Sequence, residues 1–164
     1  MRNLLFTLLF SMSLTGFSQI IDAQPSFWDN VQFGGGLGLG IGSNRTTISV
    51  APSAIYNFNP KFSLGLGASY LYAKNGDLKS NVFGASVLSL YNPFEQLQLS
   101  AEFEHLFVNQ KLGTLKSNFD YPALYIGAAY RVGNFSAGLR YDVLYDDNKS
   151  IYASAFSPIF RFYF

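Results

Sequence analysis

The 164-residue chain contains no cysteine, which excludes a disulfide framework, thiolate metal sites and a lipid-modified N-terminal cysteine. A single histidine, His105, rules out a His-rich metal centre. Charge is also scarce: Asp, Glu, Lys and Arg make up 13% of the residues, about half of the roughly 25% usual in soluble domains. Basic clusters are missing, and the formal net charge is only +1, so nucleic acid is not an expected partner. Beyond the first residues there is no apolar run approaching the roughly 20 residues a membrane-crossing helix needs.

What is abundant is aromatic and small. Phe, Trp and Tyr account for 18% of the chain, with 17 phenylalanines, 11 tyrosines and 15 glycines. The start reads as an export signal over residues 1–18. Met1-Arg2-Asn3 is a short basic head, Leu4 to Leu14 an uncharged apolar stretch, and Gly16-Phe17-Ser18 a small-residue cleavage site. Cleavage is expected after Ser18, with Ile21-Asp22-Ala23 as a weaker second site. The apolar stretch is too short for a bilayer anchor. Arg2 is the only charge that leaves with the signal, so the remaining chain is formally neutral. An exported, apolar, aromatic chain without hydrophobic helices points to membrane-crossing strands.

Such strands need about 9 to 11 residues, bulky and apolar on the lipid side, polar or small on the inside. Eight segments from Val31 onward meet this description. The first, Val31 to Ile41, takes in "FGGGLGLGI", a glycine density that raises the question of a phosphate loop. Neither G-x-G-x-x-G nor G-x-x-x-x-G-K-[ST] occurs there, and "TTISV" follows as strand rather than helix. The stretch instead alternates strictly, with Phe33, Leu37, Leu39 and Ile41 on one face and Gly34, Gly36, Gly38 and Gly40 on the other. The glycines are expected to make room for larger side chains arriving from across a narrow barrel.

The other segments are Thr46 to Phe58, Phe62 to Tyr72, Asn81 to Tyr91, Leu97 to Val108, Ala123 to Val132, Phe135 to Tyr145 and Ile151 to Phe164. The fourth has two apolar faces, and Phe83, Val87 and Tyr91 are assigned outward. Short connections at Asn59-Pro60-Lys61, Asn92 to Gln96 and Gly133-Asn134 alternate with mostly longer ones at Lys74 to Ser80, Asn109 to Asp120 and Asp146 to Ser150. That asymmetry suits periplasmic turns and external loops. Outward aromatics gather at both ends of the segments, Phe58, Phe62, Tyr91, Tyr130, Phe135 and Phe162 near the short turns. Tyr70, Tyr72, Phe83, Phe107, Tyr145 and Tyr152 lie near the loops. Pro52 and Pro158 fall inside strands two and eight, where bulges or a loosened seam are expected.

The expected fold is therefore all-β, an eight-stranded antiparallel up-and-down transmembrane β-barrel over 31–164, preceded by a periplasmic segment at 19–30. This pattern resembles the eight-stranded outer-membrane barrels of the OmpA/OmpX type. The end "SPIFRFYF", with Phe160, Phe162 and Phe164 outward, is similar to the C-terminal signal read by the barrel-assembly machinery. "APSAIYNFNP", "LSAEFEHL" and "GLRYDVLYDDNKSIY" resemble small exported proteins of Bacteroidota-type bacteria, some of which carry an alpha-ketoglutarate decarboxylase label. The chain is short for a thiamine-diphosphate enzyme and offers no cofactor-binding segment, so neither cofactor nor enzymatic activity is expected.

The candidate site is an inward polar network of Glu102, Glu104, Arg131, Arg140, Asp142 and Arg161, three charges of each sign. In so narrow a barrel these read as a paired core, with a gated pore or a carboxylate acid–base pair as the sharper alternative. His105 faces outward and lacks the serine two residues on that a lipid A deacylase would use; position 107 is Phe. Asp146 and Asp147 offer oxygen ligands to a hard cation but read first as a solvated loop. The expected role is a structural or protein-interaction barrel in the bacterial outer membrane, with an occluded polar interior. Its expected partners are outer-membrane lipid, the assembly machinery during insertion and another outer-membrane protein. A lipid-acting enzyme or a narrow pore is the alternative. A soluble lipocalin-like binder would need the two faces reversed.

Overall fold

A computed structural model describes residues 26–42, 45–152 and 154–164. The expected export signal over residues 1–18 and both of its expected cleavage sites lie outside them. A 3-10 turn at Phe27–Asn30 leads into eight strands: β1 Val31–Gly42, β2 Arg45–Asn59, β3 Phe62–Asn75, β4 Leu78–Phe94, β5 Leu97–Leu112, β6 Leu115–Val132, β7 Phe135–Asp142 and β8 Phe156–Tyr163. Each pairs antiparallel with its sequence neighbour, and β1 pairs with β8, closing the ring. The architecture is an all-β, up-and-down barrel. Among the described residues no helix is long and apolar enough to cross a membrane.

The alternation of the sequence becomes the two faces of this wall. Leu64, Leu66 and Tyr70 of β3 are exposed while Ser63 and Leu71 are buried. In β5, Leu99, Phe103 and Phe107 are exposed against Gln98, Ser100 and Glu104 inside. The ambiguous fourth segment resolves in the same sense. Phe83, Val87 and Tyr91 face out, and Val82, Leu88 and Leu90 are buried within.

Two expectations are corrected. Lys74 to Ser80 and Asn109 to Asp120 are not loops but the ends of long hairpins. The ladders run on through Asn75↔Leu78 and Leu112↔Leu115, leaving two-residue turns whose glycines, Gly76 and Gly113, have positive φ. Conversely, β7 stops at Asp142 and β8 begins at Phe156, so the β7–β8 connection is the one long loop among the described residues. Within it Tyr152 is not a girdle residue. Ile151 and Tyr152 pack against the buried interior cluster of Leu71, Val82, Leu106, Val108, Tyr121, Ala123 and Tyr125, roofing the barrel at that end.

The prolines do not sit at bulges, since the register shifts fall at Asn57/Asn59 and Tyr91/Phe94. Opposite β3, the β2 ladder skips Ala51 and Pro52 while staying in register. β8 runs past Pro158 against Leu139 without a break. Ala155 and Tyr163 both bond towards β7, so by alternation the nitrogen of Pro158 faces β1. There it costs no rung, because the β1–β8 ladder ends at Gly36↔Arg161. The loosened seam is real: β1 pairs with β2 along its full length, but with β8 only through Gly34, Gly35 and Gly36.

Candidate functional site

The interior is layered rather than uniformly polar. At the short-turn end the Ser136 hydroxyl donates to Gln98 Oε1 (3.1 Å), and Gln98 Nε2 donates to Asn92 Oδ1 (3.3 Å). These groups line an open vestibule of about 1040 Å³. Above it lies an apolar layer of Ile55, Leu88, Leu90 and Tyr163, then a charged belt, then the roofed apolar cluster.

The six predicted charges separate along the barrel axis. Glu102, Arg140 and Arg161 come together: Glu102 Oε2 accepts from Arg140 Nη1 at 3.3 Å and from Arg161 Nη2 at 3.1 Å. Arg140 also lies over the Tyr125 ring, 3.8 Å from its centroid, and its Nε donates to Ser157 Oγ at 3.0 Å. Glu104 stands apart, accepting a hydrogen bond from the Ser69 hydroxyl beneath Gly84, where a Cβ would strike both partners. Asp142 serves the backbone. Its Oδ1 accepts the amides of Leu124 (3.1 Å) and Leu144 (3.0 Å), which ends β7. Arg131 lies at the vestibule rim, its Nε donating to the Gly133 carbonyl at 2.9 Å.

The expectation of one six-membered network is thus corrected to a three-membered one. Alternation assigns each side chain a face, but depth follows from register, and only β5, β7 and β8 bring charges to the same level. Two guanidiniums sharing one carboxylate leave this triad with one excess positive charge. Arg161 is only 7% exposed, and its Nη1 has no partner among the described residues. The triad borders a cavity of about 380 Å³, also lined by Gly38, Ser49 and Pro158 beside the short seam.

The glycines of β1 serve neighbouring strands rather than side chains from across the lumen. A Cβ on Gly34 would meet the Phe162 carbonyl, and one on Gly35 the Ala51 carbonyl, both on adjacent strands.

Outside the barrel, His105 Nε2 and Asp120 Oδ2 stand 2.9 Å apart, and the imidazole packs on Phe107 with ring centroids 4.9 Å apart. The residues opposite and beside this pair on the outer face are Ala85, Phe83 and Pro122, which offer no hydroxyl nucleophile. Sequence reading missed Asp120 as a partner because it was assigned to a loop. Asp146 is occupied locally: Asn148 N (2.9 Å) and Asn148 Nδ2 (3.2 Å) donate to its Oδ1. Chiefly the backbone amide of Asn148 holds this carboxyl below its ordinary range. Among the described residues no cluster of three or more His, Asp or Glu side chains is arranged for a metal.

No family model matches this chain, and neither a curated protein nor a solved structure does.

Proposed function

We propose that the chain is an integral outer-membrane β-barrel with a braced, closed interior and a structural or protein-interaction role rather than an enzymatic one. One observation carries this reading, the chemistry of the outer wall. Phe33, Leu37, Leu66, Phe103, Ile126, Leu139 and Phe160 stand exposed around the ring, each on the face opposite the buried polar groups. A soluble protein rarely exposes a contiguous apolar patch larger than a few hundred Å², whereas a lipid-facing wall is made of this. Aromatics border the band at both ends. Phe27, stacked on Tyr56 at 4.9 Å, continues through Phe58 to Phe62 at the short-turn end, and Tyr70 and Phe83 adjoin at 5.1 Å at the other. The soluble lipocalin-like reading finds no support in a wall of this kind. The resemblance of Phe160, Phe162 and Phe164 to an assembly signal fits their outward placement.

Because the chain has no cysteine, single spin labels can be placed cleanly along residues 97–108. Labels at Leu99, Phe103 and Phe107 are expected to contact oxygen dissolved in lipid, and labels at Ser100 and Glu102 to be shielded from it. Recovery of the protein in a soluble fraction without detergent would refute the membrane reading. In planar bilayers conductance is expected to stay at background, because the Ile55–Leu88–Leu90–Tyr163 layer separates the vestibule from the cavity above it. Steady ion currents would show that this partition opens.

A further inference from the structure

Four of the chain's six lysines fall on one rung of the wall. Lys74 pairs with Lys79, Lys79 with Lys111, and Lys111 with Lys116, so β3, β4, β5 and β6 each contribute one ammonium side by side. Alternation puts all four on the outer face: Lys74 shares its parity with Tyr70, Lys79 with Phe83, Lys111 with Phe107, and Lys116 with Asp120 and Pro122. All four are exposed. Directly opposed residues in a sheet hold their Cβ atoms about 4.5–5.5 Å apart, and like charges there repel. Among the described residues none of the four has an ion-pair partner. Asp120, the nearest acid on the same face of β6, is engaged by His105.

We infer that this lysine rung binds the phosphate groups of outer-leaflet lipid headgroups. The inference rests on the membrane reading above and adds the lipid chemistry the wall recognises. Depth argues for lipid over a soluble anion. Lys79 and Lys111 stand four residues beyond Phe83 and Phe107 on the same strands, about 13 Å along the strand at roughly 3.3 Å per residue. With the tilt of such strands this is about 10 Å along the membrane normal, within reach of headgroups for a lysine that bends its ammonium back to the interface. Four adjacent cations on four of the eight strands of a closed ring face a surrounding layer of phosphates and are relieved of mutual repulsion by it.

The test uses the full-length protein in detergent micelles, titrated with phosphatidate, with zwitterionic phosphatidylcholine and with inorganic pyrophosphate, read by native mass spectrometry and by thermal unfolding. Phosphatidate is expected to bind in preference to phosphatidylcholine. K79Q/K111Q is expected to bind phosphatidate about thirtyfold more weakly, taking about 1 kcal/mol per lysine near an anionic surface. K79R/K111R should retain binding. A crossover marks function rather than mere structure: K79Q/K111Q should melt higher than the wild type in neutral detergent, where repulsion is relieved, and lower once phosphatidate is present. Equal lipid retention by K79Q/K111Q overturns the inference, as does pyrophosphate binding as tightly as phosphatidate. Should the protein partition with the membrane yet show no phosphate preference, the rung assignment fails while the membrane reading survives. A soluble protein would fail both.

Discussion

Replacing Glu102 with leucine is expected to lower the stability of the folded barrel by about 3–5 kcal/mol, the cost of breaking a buried pair and leaving its cations uncompensated. Glu102 is the only acid bonded to Arg140 and Arg161 among the described residues, and the side chain of Arg161 is 8% exposed. One buried and one partly buried cation would then face each other across a space where the shared acceptor stood. The measurement is urea unfolding in micelles, followed by the mobility difference between unheated and boiled protein. Removing all three charges together, E102L/R140M/R161L, should recover most of the loss, because a well-packed apolar replacement of a buried ionic cluster is often neutral or stabilising. An E102L protein unfolding at the wild-type urea concentration would mean that the triad does not brace the barrel.

Gly35→Val is expected to cost about 3 kcal/mol or more, or to prevent ring closure outright. Gly35 has φ +146°, a conformation side chains rarely adopt, and a Cβ there would overlap the Ala51 carbonyl and approach the Pro52 Cα at 2.8 Å. Backbone strain and overpacking add at one position. Gly76→Ala is the matched control: its φ is +58° but nothing lies within 4 Å of the added carbon, so only the left-handed penalty of roughly 1–2 kcal/mol applies. Comparable unfolding curves for the two variants would show that the β1–β2 pairing tolerates bulk at Gly35 and that the overlap is relieved by a small shift of β2.

The strand count and the two faces were legible in the sequence because an apolar outer wall and a crowded lumen impose a period of two. Phe103 and Glu102 could not trade places without exposing charge to one and bulk to the other. That signal fades where both faces of a strand are wet. Asn109, Gln110 and Lys111 carry no alternation, so the hairpin they build resembled a loop, and with it vanished Asp120 as the partner of His105 and the lysine rung. It misleads where an apolar side chain turns inward from a loop: Tyr152 reads as an outward girdle aromatic but, together with Ile151, roofs the interior. The charged site was half legible. Parity identified all six inward charges, while Arg131 and Glu102, on neighbouring strands, lie in different layers because antiparallel pairing sets Arg131 against Ser136 and Glu102 against Tyr125.

The brevity of the β1–β8 ladder bears on how the ring holds together. A hoop fails at its weakest joint, whatever the strength of the others. Here that joint unites the two ends of the barrel, which no hairpin tethers, so its entropy of closure is that of the whole intervening chain. A few rungs at three glycines, reinforced by the reciprocal hydrogen bonds between Phe33 and Phe164, must offset it. Phe164 is therefore a clasp, and a chain without it would surrender two of the bonds keeping the cylinder shut.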